Sequence, residues 1–256
     1  MIKAAFFDVD GTLLSHATNS VPQSAREAVA KLRAQGILCV LATGRQIRQM
    51  RKLPIADMEF DGYLTLNGQL TLDGNQKMLY GTPITGKTKD FCVKMFSENR
   101  LPALLVEEED VYLNFEDDRV RLVQKAINTE TPPFGQYTGK DIYQVCIYLA
   151  KGEEELLAEI ADECVMSRWN IGGVDVVAKG GGKVTGIQRF LEGTGITREE
   201  IIAFGDAEND MDMLRFAGIG VAMGNALDEV KEVADFVTTD VDDNGIANAL
   251  KHFGLI

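Results

Sequence analysis

Two aspartates, Asp8 and Asp10, sit two residues apart, just after an apolar run that ends at Phe7 and just before Gly11 and Thr12. Carboxylates held that close resist joint ionisation, and burial at a strand end deepens the resistance. A second acidic group follows the apolar run Ile201–Phe204: Asp206, then Asn209 and Asp210 three and four residues on. In the first turn of a helix that spacing returns Asn209 and Asp210 to the side of Asp206. Taken alone, Asp210 reads equally well as negative charge complementing a helix N-terminus, while Glu208 and Asp212 read as solvated. Several carboxylates on one rim call for a cation. All-oxygen ligation selects a hard one, for which Mg²⁺ is the natural candidate.

Two further stretches supply groups for an anion. Lys183 follows Gly180-Gly181-Gly182 at the start of a predicted helix, where bare backbone N–H groups can approach a phosphate. Thr43 and Gly44 follow the apolar run Ile37–Ala42 and offer a hydroxyl and a backbone N–H at another helix start. A carboxylate beside a metal and a phosphate cradle can attack phosphorus and form an aspartyl-phosphate. A second carboxylate within reach can protonate the leaving oxygen and later activate water. Asp8 and Asp10 fit these two roles.

The elements that must position these groups read as two styles of α/β structure. Over the first eighty residues, apolar strands (4–7, 37–42, 62–66) alternate with helical stretches (24–35, 46–52), the pattern of a parallel sheet covered on both faces. The same style returns after residue 180, with strands at 201–204, 218–222 and 235–238. Between them the pattern is half polar. A helix is expected over 85–99, a hairpin over 103–115 across the acidic turn Glu107–Asp110, and a helix over 118–128. A strand over 141–150, a helix over 153–163 and a hairpin turning at Gly172-Gly173 complete the middle. This predicts an antiparallel sheet with helices on one face. The fold class is therefore α/β, a doubly wound, mostly parallel, Rossmann-like core (1–82 and 180–256) carrying an inserted α/β domain (83–179). Ligands of open parallel sheets bind beyond the carboxyl ends of the strands, and Asp8, Thr43, Lys183 and Asp206 all lie at or near such ends.

Asp-Val-Asp-Gly-Thr-Leu-Leu, Leu-Ala-Thr-Gly-Arg, Gly-Gly-Gly-Lys and Gly-Asp-Ala-Glu-Asn-Asp, in that order and on those elements, resemble the four motifs of the haloacid dehalogenase superfamily of aspartate-nucleophile phosphatases. The large insertion between the second and third motifs resembles the cap of the Cof-type sugar-phosphatase subgroup. The resemblance implies Asp8 as nucleophile and Asp10 as acid/base. It implies Mg²⁺ held by the Asp8 side chain, the Asp10 backbone carbonyl and Asp206, with Asp210 a ligand or close behind. Thr43, Gly44, Lys183 and Asn209 would hold the phosphate. Asn67 resembles a position facing the substrate, although Asn67-Gly68 also reads as a plain turn. Arg45 is expected to aid substrate binding or to pair with an acid. Dehalogenase members lack the second aspartate, because halide leaves without a proton; its presence here favours a phosphate ester.

The bulk composition narrows the partners. The chain has 256 residues, 45% hydrophobic and 25% charged, with a net charge of −13. Such an acidic chain is not expected to bind nucleic acid or anionic membrane. The four cysteines lack metal-binding or redox spacing and read as buried thiols of a cytoplasmic protein. The first residues form a strand pattern rather than a leader, and His16 and His252 read as exposed. The expected partner is a small phosphorylated metabolite; Asp110, Asn114, Arg168 and Trp169 of the insert are candidates for its leaving group. Oligomeric state is not readable. Two other classes remain: a P-loop nucleotide hydrolase using the literal match Gly81–Thr88, and a non-catalytic phosphate-ligand sensor.

Overall fold

The computed structural model describes residues 1–126, 130–170 and 172–256. The strands in chain order begin with β1 (Ala4–Phe7), β2 (Leu38–Ala42), β3 (Gly62–Thr65), β4 (Leu70–Asp73) and β5 (Met78–Gly81). Next come β6 (Ala103–Val106), β7 (Val111–Leu113), β8 (Gln144–Tyr148), β9 (Cys164–Asn170) and β10 (Gly173–Ala178). The last are β11 (Ile201–Gly205), β12 (Ile219–Ala222) and β13 (Phe236–Val237). By packing, the chain divides into two compact units, Met1–Tyr80 with Gly182–Ile256, and Gly81–Gly181.

The first unit holds an eight-stranded sheet in the order β13-β12-β11-β1-β2-β3-β4-β5. The pairs from β13 to β3 are parallel, and β4 runs antiparallel to β3. The continuous apolar strands are buried, as their composition requires: every residue of β1 and β11 is buried. β1 sits where the order reverses, between β2 and β11. Register then does the positioning. Phe7 pairs with both Leu41 and Phe204, so three strands end at one level, and the residues just beyond them converge. The rings of Phe7 and Phe204 stack at 5.1 Å immediately beneath that rim. Burial of large rings like these contributes roughly 2–3 kcal/mol apiece, which makes the base of the site stiff.

The second unit is a five-stranded antiparallel sheet, β7-β6-β8-β10-β9. Ala103, Leu105, Tyr112, Val145, Ile147, Val174 and Val176 alternate onto one face and pack against Cys92, Met95 and Phe96 of the helix Gly86–Ser97. Leu157 and Ile160 join that core from the segment Glu154–Ile160.

Four expectations are corrected. Helices do not keep to one face of the second sheet: Val120 and Val123 of the helix Asp118–Ala126 pack with Leu113 and Tyr148, which alternate onto the opposite face. That helix was expected to reach Asn128, which lies outside the described residues. Residues 154–160 form a 3₁₀ helix instead of an α-helix; its buried residues are three apart, the 3₁₀ repeat. The parallel sheet gains β4 and β5 beyond β3. Their short half-polar sequences carry no parallel-strand signature, because β5 is an edge strand with Met78 and Leu79 exposed. The 46–52 helix contracts to Ile47–Met50.

Asn114 is an internal tie of the second unit. Its Oδ1 accepts from the N–H groups of Ala103 and Phe115, and its Nδ2 donates to the carbonyls of Phe96 and Leu101. Asn114→Ala is expected to destabilise the protein by about 3 kcal/mol, since several backbone groups lose partners. Urea unfolding measures this, and a change under about 0.5 kcal/mol would contradict it.

Candidate active site

β1 delivers Asp8, β11 delivers Asp206, and the turn after it delivers Asp210. One ligand oxygen from each lies within 4.8 Å of the others. The helix Lys183–Leu191 brings Lys183 into the same place. Its Nζ donates to Asp8 Oδ1 at 2.7 Å and to Asp210 Oδ1 at 2.5 Å, and the lysine is only 4% exposed. Asp210 is fully buried, and its other oxygen accepts from the backbone N–H groups of Asp206 and Ala207, 3.0 Å each. Asp210 thus shapes the loop that carries Asp206 as well as anchoring Lys183.

The charges are unevenly matched. Burial and then repulsion from Asp210 carry Asp8 well above the ordinary carboxylate range, against the pull of Lys183. Burial raises Asp206 to about 6; a hydrogen bond from Thr12 opposes this and Asp210 adds to it. Burial works against the Lys183 charge, yet Asp210 and Asp8 together hold its pKa above the ordinary lysine value. With every carboxylate ionised, three of them against one ammonium would leave two negative charges. An oxygen-only donor set short of two positive charges fits a hard divalent cation.

Neighbouring residues hold the acids in place. Thr12 Oγ1 donates to Asp206 Oδ1 at 2.8 Å. Gly11, at φ +84°, lies so near Asp206 that a Cβ there would come within 2.2 Å of its carboxylate. Asn225 Nδ2 donates to the Gly11 carbonyl, and Asn225 Oδ1 accepts from Val241 N–H, bracing the loop from the far end of the chain. None of these supports was read from the sequence; the polar Asn225 after an apolar strand was the available signal for the last.

The phosphate candidates are joined by a short irregular segment, residues 66–68. Leu66, Asn67 and Gly68 all have left-handed backbone, φ +52°, +56° and +81°. Asn67 N–H bonds the Thr43 carbonyl and Leu66 N–H the Arg45 carbonyl. The Asn67 side chain lies against Gly44 and accepts from Asn209 Nδ2 at 2.8 Å. On the other side a Cβ at Gly68 would meet the Gly182 carbonyl at 2.2 Å. Thr43, Gly44, Asn67, Asn209 and Lys183 are therefore brought together around one segment, and Gly68 is a close-packing position whose lack of a Cβ lets that segment approach Gly182.

Asp10 stands apart from the three-acid cluster. Arg45 holds its carboxylate through Nε at 2.6 Å and Nη2 at 2.7 Å, so Arg45 pairs with an acid. In the second unit Arg168 bonds the Leu149 and Ala150 carbonyls and Glu154, and Asp110 bonds Lys140. With Asn114 spent as described, these are internal ties. The Trp169 side chain lies outside the described part. The four cysteines are free thiols, and no helix among the described residues is long and apolar enough to cross a membrane.

A doubly wound sheet whose strand ends gather a carboxylate cluster, a buried lysine and a polar anion cradle defines an enzyme of phosphate esters. Residues 5–250 match the family model of haloacid dehalogenase-like hydrolases. The Bacillus subtilis (strain 168) protein YkrA, named as a candidate phosphatase, is 34% identical over 257 residues, covering 99% of this chain and 98% of that one. The structure of BT1666 from Bacteroides thetaiotaomicron, described among phosphatases of the haloalkanoate superfamily, matches with TM-score 0.87 and 35% identity, covering 100% and 96% of the two chains. That of BT4131, described as a subclass IIB sugar phosphatase, matches with TM-score 0.83 and 34% identity over 99% and 100%. The chain belongs to the haloacid dehalogenase-like hydrolases and is one of their phosphatases.

The charge imbalance has a pH signature. Without a divalent cation, Asp206 and Asp8 bind protons more tightly folded than unfolded; Asp206 therefore lowers stability as pH rises from about 4 through about 6, and Asp8 acts in the same direction. A divalent cation such as Mg²⁺, bound by the folded cluster, would remove that penalty. The gain in melting temperature on adding Mg²⁺ is expected to be larger at pH 7 than at pH 5, and to shrink in Asp206→Asn. Scanning fluorimetry at constant ionic strength checks this; equal gains at both pH values would place the cation elsewhere.

Proposed function

We propose that this phosphatase is Mg²⁺-dependent and hydrolyses small phosphomonoesters, sugar phosphates foremost, through an aspartyl-phosphate on Asp8. The observation that carries the proposal is the division of the acids. Asp8 is bonded to buried Lys183 inside a cluster short of two positive charges, while Asp10 is held separately by Arg45. The similarity to the sugar phosphatase BT4131 supports the substrate class.

Asp8 attacks phosphorus in line, and its bond to phosphorus forms as the ester P–O bond breaks. Asp10 gives its proton to the departing alcohol oxygen. A water then attacks the aspartyl-phosphate, Asp10 takes its proton, and inorganic phosphate leaves with Asp8 restored. Lys183, Thr43, Gly44 and Asn209 hold the phosphoryl oxygens as charge shifts among them. Mg²⁺, held by Asp8, the Asp10 carbonyl and Asp206 with Asp210 close by, would offset the repulsion between carboxylate and phosphate. The inserted residues 83–179 act as a lid that excludes water and completes contacts to the leaving group. We place the enzyme in the cytoplasm, where such metabolites occur.

The P-loop alternative is disfavoured by its setting. Gly81–Thr88 begins at the end of an edge strand rather than a buried one, and Lys87 is exposed. Thr85 occupies the position before the helix without a side-chain capping bond. The sensor alternative has no feature in its favour, since nucleophile and acid/base are both present.

Asp8→Asn is expected to lower kcat/KM on a sugar phosphate by roughly a thousandfold or more, the scale of losing a covalent nucleophile, and Lys87→Ala to change it by less than about twofold. Chelation should abolish turnover and Mg²⁺ restore it. Loss of turnover in Lys87→Ala with Asp8→Asn still active would reverse the assignment, and a failure to hydrolyse any phosphomonoester with Mg²⁺ would favour the sensor.

A further inference from the structure

We infer that Arg45 is a positioning residue for proton transfer: its guanidinium fixes the Asp10 carboxylate in the orientation that reaches the leaving oxygen and then the attacking water. The inference rests on Asp10 being the acid/base.

The geometry is that of a fork on a fork. Nε meets one carboxylate oxygen and Nη2 the other, at 2.6 and 2.7 Å, so the carboxylate plane is fixed as well as its place. Asp10 needs such a hold. It lies beyond the last residue of β1 and next to Gly11 with its left-handed backbone, so the strand does not set its side chain. Arg45 can supply the hold because it is itself anchored. Its N–H donates to Thr43 Oγ1, and its carbonyl accepts from Leu66 N–H, both at 3.1 Å. The Arg45 and Asp10 side chains are 36% and 28% exposed, so water competes only in part. With Nε and Nη2 both committed to Asp10, the fork is not free to grip a phosphate in the same manner.

This role has a chemical fingerprint. Forming the aspartyl-phosphate from an alkyl phosphate requires a proton on the departing alcohol, whereas p-nitrophenol leaves as a stable phenolate without one. The ratio kcat/KM reports steps up to phosphoryl transfer onto Asp8. Breakdown of the aspartyl-phosphate follows and needs Asp10 to take a proton from water for either ester. A misplaced Asp10 therefore penalises the alkyl ester in kcat/KM, and it stalls the aryl ester after the first turnover.

The experiment compares wild type, Arg45→Ala, Arg45→Lys and Asp10→Asn on glucose 6-phosphate and p-nitrophenyl phosphate, with stopped-flow detection of p-nitrophenolate and thermal melts to confirm folding. Arg45→Ala is expected to lose about tenfold or more beyond its aryl-ester loss on the alkyl ester, and to show a phenolate burst approaching one per enzyme. Arg45→Lys, which keeps the charge but not the fork, should fall between wild type and Arg45→Ala. Equal losses on both esters in Arg45→Ala, without a burst, would overturn the inference in favour of substrate binding. Wild-type selectivity in Arg45→Lys would overturn the fork. If Asp10→Asn shows the ester-selective loss and Arg45→Ala does not, the inference alone fails; if Asp10→Asn shows none, the acid/base assignment fails and takes the inference with it.

Discussion

The amine of Lys183 is shared between Asp8 and Asp210 almost wholly out of water, and the rest of the site is arranged around that contact. A buried charge is tolerated only with close partners of opposite sign, and removing one partner leaves the other stranded at a cost of several kcal/mol. Here the lysine has two partners, and a third carboxylate, Asp206, stands within reach of both. A cluster with more acids than cations could hold a metal ion. Asp210 turns its second oxygen to backbone N–H groups and, fixed there, shapes the loop beneath Asp206.

That arrangement is held by backbone geometry more than by the acids themselves. Parallel register ends β1, β2 and β11 at one level, and the stacked Phe7 and Phe204 rings stiffen the base. The left-handed run 66–68 then ties the Thr43–Arg45 turn to the start of the Lys183 helix, so that an anion would meet groups from four chain segments already in place. Left-handed Leu66 and Asn67 are costly conformations of the sort found where a site demands them. Preorganised dipoles of this kind spare the reaction the reorganisation that water would require.

Much of this was legible in the residues. Apolar runs ending in Asp8, Thr43 and Asp206 marked strand ends, and a parallel sheet aligns its strand ends by construction. Gly180-Gly181-Gly182-Lys183 marked a helix start. What was not legible depended on edges and on long-range contact. β4 and β5 lack the continuous apolar run because the edge strand β5 is half exposed. The second sheet's opposite face was not expected to be covered, because a helix with buried Val120 and Val123 does not announce which surface it will meet. Asn114 and Arg168 looked like recognition groups, being polar residues in half-polar strands, and are spent on neighbouring backbone.

The sequence by itself determined which chemical groups were available and on which elements they would stand: paired acids after a buried strand, a lysine after glycines, an acid-rich turn after another strand. Local spacing encodes those facts, because strand and helix periodicities act over a few residues. Only the tertiary structure decided which group faces which. Lys183 reaches Asp8 across 175 residues of chain, Thr12 reaches Asp206 across 194, and Arg45 closes on Asp10 rather than joining the cluster. Those pairings depend on strand order and register, and thus on the packing of the whole sheet, so no single stretch of the chain contains them.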